Sequence, residues 1–359
     1  MPKFKPTPKL EGYFYSFEES KNARDNGRIL AIRTETSLVC NLRCRYCCNR
    51  SGKPSSDEIT FEKIIDVVNQ AKDLGAKSVV VIGGGEPTIY PKFKELIKHI
   101  HSLGMVPVIF TNTQKMTKEM VKFLRKYNVT VITKLDSLDE KTQDYLTGVK
   151  GSFKKIHKGI QNLIDAGYAD VKDSQKSKLG ASFVVSKKNA HEIPAIWRFC
   201  RDRKIYPNLE MMVPKEKGVD NSDWLLSREE WKDLKSKLLE IDRNEYGYDW
   251  LPHTPHIGTG CFQVMHNLYI TVKGFVRPCA CTSNDFANIK DYSLKEINNL
   301  PFFQIARHIE KNLKGKCANC KHHSKCIGCR GLAYTQSRYI DGKDPVESLC
   351  AEDPSCFML

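Results

Sequence analysis

Long hydrophobic runs are missing from this 359-residue chain: no stretch approaches the ~18 consecutive apolar residues that a membrane-spanning helix needs. The first residues, Met1 to Lys9, are rich in proline and lysine and lack the apolar core of a secretion signal. No segment interleaves arginines with aromatic rings as a nucleic-acid-binding module would. These absences exclude a helical membrane protein and set the expectation of a cytoplasmic protein with neither a membrane nor a nucleic-acid partner. Core-forming residues are not short. Hydrophobic residues make up 40% of the chain, enough for a sizeable core, and its length suggests about two domains.

Cysteine and positive charge are in excess. With no export signal, 14 cysteines speak for metal binding rather than disulfides. The formal net charge is +15. It reads either as a lysine-rich solvated surface or as an attraction for an anionic substrate or an acidic partner protein.

Residues 1–27 read as a loosely ordered arm over a barrel end, with an aromatic patch at Tyr13-Phe14-Tyr15. From Arg28 to about Ser227, short β-branched runs alternate with amphipathic helical stretches. Strands are expected at 28–34, 78–82, 106–110, 129–133, 179–186 and 209–213, and helices at 61–74, 91–103, 118–126, 153–166, 191–203 and 227–241. Six β/α units imply a parallel sheet, either an open doubly wound one or a partial barrel. The expected division is an arm at 1–27, an α/β body at 28–241, a linker at 242–260 and a cysteine-rich domain at 261–359.

In parallel β/α folds chemistry gathers at the C-terminal ends of the strands. The unusual residues fall there. Cys40, Cys44 and Cys47 follow the first strand, Gly83-Gly84-Gly85-Glu86-Pro87 the second, Thr111-Asn112 the third and Asp136-Ser137 the fourth. Ser186 and Asn189 follow the fifth, and Met211 to Pro214 end the sixth. The spacing Cys40-x3-Cys44-x2-Cys47 brings three thiolates to one point. A zinc site or a complete cubane cluster needs four protein ligands, so three leave one metal position open for a cofactor. A zinc knuckle completed by a distant cysteine is the alternative.

This triplet, with Tyr46 before its last cysteine, resembles the signature of the radical S-adenosylmethionine (SAM) enzymes. The resemblance implies a partial (β/α)6 TIM-like barrel and a [4Fe-4S] cluster whose fourth iron is chelated by the amino and carboxylate groups of SAM. Reductive cleavage of SAM then gives a 5′-deoxyadenosyl radical that abstracts a substrate hydrogen. Gly84-Gly85-Glu86-Pro87 matches the family's GGEP motif, which the resemblance assigns to the SAM amino group. Tyr46 is expected near the adenine. Thr111, Asn112, Ser137 and Asn189 are candidates for the ribose or the methionine carboxylate, or are turn and capping residues.

Nine of the fourteen cysteines lie from Cys261 to Cys356. Cys261 is followed by a β-hairpin turning at Lys273-Gly274, then Cys279 and Cys281. Cys317-x2-Cys320-x5-Cys326-x2-Cys329 comes next, then Cys350 and Cys356. Paired C-x2-C units fit zinc ribbons as well as clusters. The whole order resembles the SPASM domain, which holds two auxiliary [4Fe-4S] clusters, for a total of three. Matched to that pattern, Cys261, Cys279 and Cys329 would hold the first, with Cys281 as fourth ligand and Cys356 in reserve. Cys317, Cys320, Cys326 and Cys350 would hold the second. The gap of two residues before Cys329 departs from the family's three. Three clusters would cancel roughly a third of the positive charge. The six Lys or Arg between Lys311 and Arg330 either balance that charge or form a solvated loop. Cys48 and Cys200 read as free thiols.

The resemblance implies net oxidation or oxidative bond formation, with the auxiliary clusters taking an electron and a flavodoxin or ferredoxin supplying the first one. Asp285, His253, His256 and Glu210 are candidate bases. Sulfatase-maturing members carry an aspartate where this chain has Ala280, which speaks against formylglycine formation. The expected substrate is a small alcohol, sugar or cofactor precursor. A ribosomal peptide or protein side chain is the alternative, and a non-enzymatic zinc or iron–sulfur scaffold is the reading from another class.

Overall fold

The structure, a computed structural model, describes residues 4–170, 176–253, 255–283, 287–322 and 325–358. In the body, strands β2 (Ala31–Thr34), β3 (Ser78–Val81), β4 (Val106–Thr111), β5 (Thr130–Lys134), β7 (Leu179–Val185) and β8 (Tyr206–Met211) are parallel neighbours in that order. The short strands β1 (Lys9–Leu10) and β6 (Lys176–Ser177) pair with each other. A hairpin of β9 (Asn267–Ile270) and β10 (Val276–Arg277) extends the sheet, with β9 parallel to β2 in the register Ala31↔Asn267. The eight-stranded sheet therefore crosses position 261, and the C-terminal region is built onto the barrel wall.

Strand residues alternate between two apolar environments. Ile32, Val79, Val81, Ile109, Val131 and Phe183 pack against helix residues such as Ile64, Leu96, Leu124, Ile160 and Trp197. Val80, Val108, Ile132 and Tyr206 face the other way, against Leu10 and Tyr13. The barrel interior is thus filled at its N-terminal end by the arm. From residue 4 onward that arm is ordered, contrary to expectation. Phe17–Asp25 is a helix whose N-cap Ser16 exchanges hydrogen bonds with Glu19, at 3.1 and 2.8 Å. The helix is clipped to the C-terminal region, with Arg24 2.5 Å from Glu310 and Ser20 Oγ 2.8 Å from His266 Nδ1.

The segment after the last body helix, Arg228–Ile241, is no loose linker either. Asp242 is fully buried and accepts from Trp197 Nε1 (2.8 Å), Trp250 Nε1 (2.8 Å) and Arg201 Nη2 (2.6 Å). A helix at Glu140–Thr147, absent from the expected elements, starts at the N-cap Asp139 and stops at left-handed Gly148. Among the described residues no helix is long and apolar enough to cross a membrane.

Candidate functional site

The cysteine loop leaves the C-terminal end of β2 and lies on the turn that follows β3. Gly85 N donates to Ser37 O (2.5 Å) and Glu86 N to Val39 O (2.8 Å). The two backbones are so close that a Cβ on Gly85 would sit 1.8 Å from Val39 O, so no other residue fits without moving the loop. Ser51 joins the same contact, donating to Gly84 O and lying 3.3 Å from Cys47 Sγ. Cys40, Cys44 and Cys47 are half-buried and share one electrostatic environment. Burial pushes the Cys44 thiol up to about 12 and raises Cys40 as well. Thiols held this way need a bound cation to ionise, as cluster ligands do. Leu42 N already points at Cys40 Sγ, at 3.4 Å.

Glu86 is buried and its carboxylate is tied within the protein. Oε1 accepts from Thr88 Oγ1 (2.6 Å) and Thr111 Oγ1 (2.7 Å), and Oε2 accepts from Asn112 N (2.7 Å). Burial raises its pKa, and these bonds oppose the rise. Glu86 with Pro87 thus braces the end of β3 against the end of β4. Asn112 carries the brace on to the cysteine loop, its Nδ2 donating to Asn41 Oδ1 at 2.7 Å. Tyr46 is buried above the barrel and donates to Asp136 Oδ2 (2.5 Å). Lys134 donates to the Tyr46 hydroxyl and lies 2.7 Å from the same carboxylate oxygen. Burial works against the Lys134 ammonium, but Asp136 beside it raises its pKa overall.

Ser137 and Asn189 are fully buried and serve the loops. Ser137 Oγ donates to Glu192 (2.6 Å); Asn189 Nδ2 donates to Asp136 O (2.8 Å) while its Oδ1 accepts from Ser186 N (2.8 Å). The tertiary structure adds Asn41, Ser51, Lys134 and Glu35 to the site and ties the rim residue Asp136 to Tyr46. Glu35 accepts from Tyr269 (2.5 Å), Asn49 (3.0 Å) and Val272 N (2.9 Å), tying the cysteine loop to the hairpin. The sequence signal for Lys134 and Asp136 was their alternation off the end of a strand.

The three described candidate bases separate in space. Glu210 is on β8, accepts from Asn208 Nδ2 (2.8 Å), and its pKa is raised by burial against the pull of Arg33 and Lys134. His256 sits against Phe14 and Tyr13 at the plugged end, and burial pushes it down to about 3. His253 stacks on His322 at 4.6 Å beside the C-terminal cysteines, pushed down to about 4 by burial. Neither histidine is a solvated linker residue. Asp285 lies outside the described residues. Cys48 is solvent-accessible beside Cys47, with its thiol pushed up to about 11 by the surrounding protein; Cys200 is buried in the core.

The C-terminal thiols fall into two sets. Cys279 and Cys281 pack on Gly331, where a Cβ would stand 2.7 Å from Cys281 Cβ and 3.6 Å from Cys279 Sγ. The Cys281 thiol donates to Cys279 and holds its pKa down; Cys261 and Cys329 act electrostatically on the same pair. The second set, Cys317, Cys320, Cys326 and Cys356, lines one pocket that opens to solvent. Cys350, placed in this set by the sequence pattern, instead ends the helix Pro345–Cys350 and packs into the hydrophobic core. Backbone N–H groups aim at these sulfurs: His322 at Cys320 (3.5 Å), Gly328 at Cys326 (3.3 Å) and Asp353 at Cys317 (3.5 Å). Thiols ringing a cavity and accepting N–H bonds fit a cluster.

The loop after β8 joins the two ends of the site. Lys217 N donates to Cys47 O (3.3 Å), and Lys215 Nζ donates to Ala280 O (3.2 Å), between Cys279 and Cys281.

Sequence profiles agree with this architecture. The radical SAM superfamily profile matches residues 34–174, and an iron–sulfur cluster-binding domain profile, SPASM, matches 261–321. The AdoMet-dependent heme synthase of Methanosarcina barkeri is 25% identical over 338 residues, covering 84% of this chain and 91% of its own. The mycofactocin maturase MftC of Mycobacterium tuberculosis is 24% identical, covering 88% and 82%. Among solved structures, Streptococcus suis SuiB bound to precursor peptide SuiA superposes with a TM-score of 0.67 at 20% identity, covering 95% of this chain and 80% of that one. The chain belongs to the radical SAM superfamily, in the branch that carries a SPASM domain. It is an enzyme, and its cofactors are S-adenosylmethionine and a [4Fe-4S] cluster.

Proposed function

We propose that this enzyme oxidises a small cofactor precursor, using one SAM-binding cluster and two auxiliary clusters. Cys40, Cys44 and Cys47 hold the first. Cys261, Cys279, Cys281 and Cys329 hold one auxiliary cluster, and Cys317, Cys320, Cys326 and Cys356 hold the other. The observation that carries the reading is the 215–217 loop, which touches the cysteine triplet on one side and the Cys279–Cys281 pair on the other. When bound, the cofactors supply a 5′-deoxyadenosyl radical that removes a substrate hydrogen and an acceptor for the electron left behind.

The chain's own residues position and deprotonate. The Glu86 brace keeps the β3 turn rigid, so the turn's backbone, rather than the Glu86 carboxylate, is left to receive an ammonium group. Tyr46 is fixed by Asp136 and Lys134 as a flat wall for the adenine. Glu210 projects into the barrel and accepts the proton released on oxidation; its raised pKa suits a base. The arm closes the far end, so substrate enters at the strand C-termini. Similarity to a heme synthase supports the small-molecule reading. Similarity to MftC and to SuiB supports a second reading, a peptide side chain as substrate.

Analysis of anaerobically purified protein is expected to give about twelve iron per chain with matching sulfide. Replacing Cys40, Cys44 and Cys47 together by alanine should abolish 5′-deoxyadenosine formation under dithionite while auxiliary iron remains. Zinc without sulfide, or continued SAM cleavage by the triple variant, overturns the reading.

A further inference from the structure

We propose that Arg330 is the electrostatic link between the two auxiliary cluster sites. Its guanidinium touches Cys317 of one set and follows Cys329 of the other in the chain, and it raises both reduction potentials together. The inference rests on the assignment of eight thiols to two clusters.

Arg330 opens the helix Arg330–Thr335 and is 2% exposed. Nη1 donates to Leu349 O (3.2 Å) and Ala351 O (2.6 Å). Nη2 points at Cys317 Sγ, 3.8 Å away, and Nε has no partner. Gly328, at φ +68°, lets the guanidinium press against the turn between Cys326 and Cys329; a Cβ there would stand 2.6 Å from Nη2. Its charge also bears on Cys261 of the first set.

No carboxylate pairs with this cation among the described residues. The nearby acids are taken: Asp353 accepts from Cys329 N (2.6 Å) and Ser355 Oγ (2.7 Å), and Glu352 from Lys316 N (3.0 Å). Lys235, the other buried cation in this region, faces the Asp353 carboxylate. A buried cation bonded only to neutral groups is strongly disfavoured unless an anion completes it. Two cubanes with four thiolates each, at about −2, are that anion. A fixed cation beside such a cluster favours the more negative, reduced state, and one placed between two clusters favours it in both.

A simpler role is also visible, since Arg330 staples carbonyls at the end of the helix Pro345–Cys350. Charge separates the two. Arg330→Gln keeps hydrogen-bond donors without the charge, and Arg330→Lys keeps the charge without the fork. In reconstituted holoenzyme followed by EPR-monitored redox titration, Gln should shift both auxiliary midpoint potentials downward and Lys should leave both near wild type. The SAM-cluster potential should not move in either. Auxiliary iron lost in Gln but retained in Lys supports the link. Wild-type potentials in the Gln variant, an equal shift in Lys, or loss of both clusters in both variants overturns it. Wild-type protein with fewer than two auxiliary clusters would instead sink the ligand assignment beneath it.

Discussion

Cys350 and Cys356 differ in what their backbone does with them. Cys350 is the last residue of a helix started by Pro345 and capped by Asp344, and it is buried in the core. Cys356 follows a turn held by Asp353, whose Oδ1 accepts from Ser355 N at 2.9 Å, and it faces the other three thiols across the cavity. Spacing in the sequence contains both cysteines and has no means of choosing; the pocket lined by Cys317, Cys320, Cys326 and Cys356 favours the second. Cys356→Ala is therefore expected to lower iron by about four atoms per chain, and Cys350→Ala to leave iron unchanged, as read by metal analysis. Glu210 is argued on the same ground. Of the candidate bases that are described, it alone extends from a barrel strand beside Lys134. Glu210→Gln should leave 5′-deoxyadenosine formation intact while product formation falls by about 10²–10⁴-fold, measured as product per SAM cleaved.

At the level of elements, periodicity served the six β/α units well because their strands are buried on both faces and their helices present one apolar stripe. It served the segments at either end of the body poorly. Proline and lysine dominate the arm's first residues and suggest a loose segment, yet Ser16 and Glu19 form a capping box that starts a helix. Glycine, histidine and proline punctuate the stretch after Ile241 and suggest a linker. Its order comes from Asp242, which gathers two tryptophan N–H groups and an arginine from a helix distant in sequence. Asp242→Ala strands the Arg201 charge in the core. It should cost ~3–5 kcal/mol of stability in a denaturation experiment, against little change for Asp249→Ala on the exposed Arg243 pair.

Across the whole molecule, the barrel and the C-terminal region share one core, the arm packs on the barrel through two smaller apolar clusters, and histidines lie in the seams. Burial pushes His256 down to about 3 and His266 well below its ordinary range. Both are neutral in the folded chain at pH 7, whereas the unfolded chain protonates them near pH 6.5. The unfolded state therefore binds more protons as pH falls below about 6.5, and the fold loses stability from there toward the folded pKa values; above about pH 7 the contribution is constant. The melting temperature should drop between pH 7.5 and 5.5, and His266→Gln should drop less over that interval.

The amino-acid order alone determined a parallel β/α body and the rim on which the unusual residues gather, because both follow from local periodicity; the barrel and its cofactors entered through motifs of a few neighbouring residues that resemble the radical SAM and SPASM signatures. Which thiols line one pocket, which carboxylate braces the β3 turn, and how the hairpin closes onto the first strand were decided only by the tertiary structure. Those are matters of side-chain direction and of contacts between segments far apart in the chain, and no local pattern encodes them.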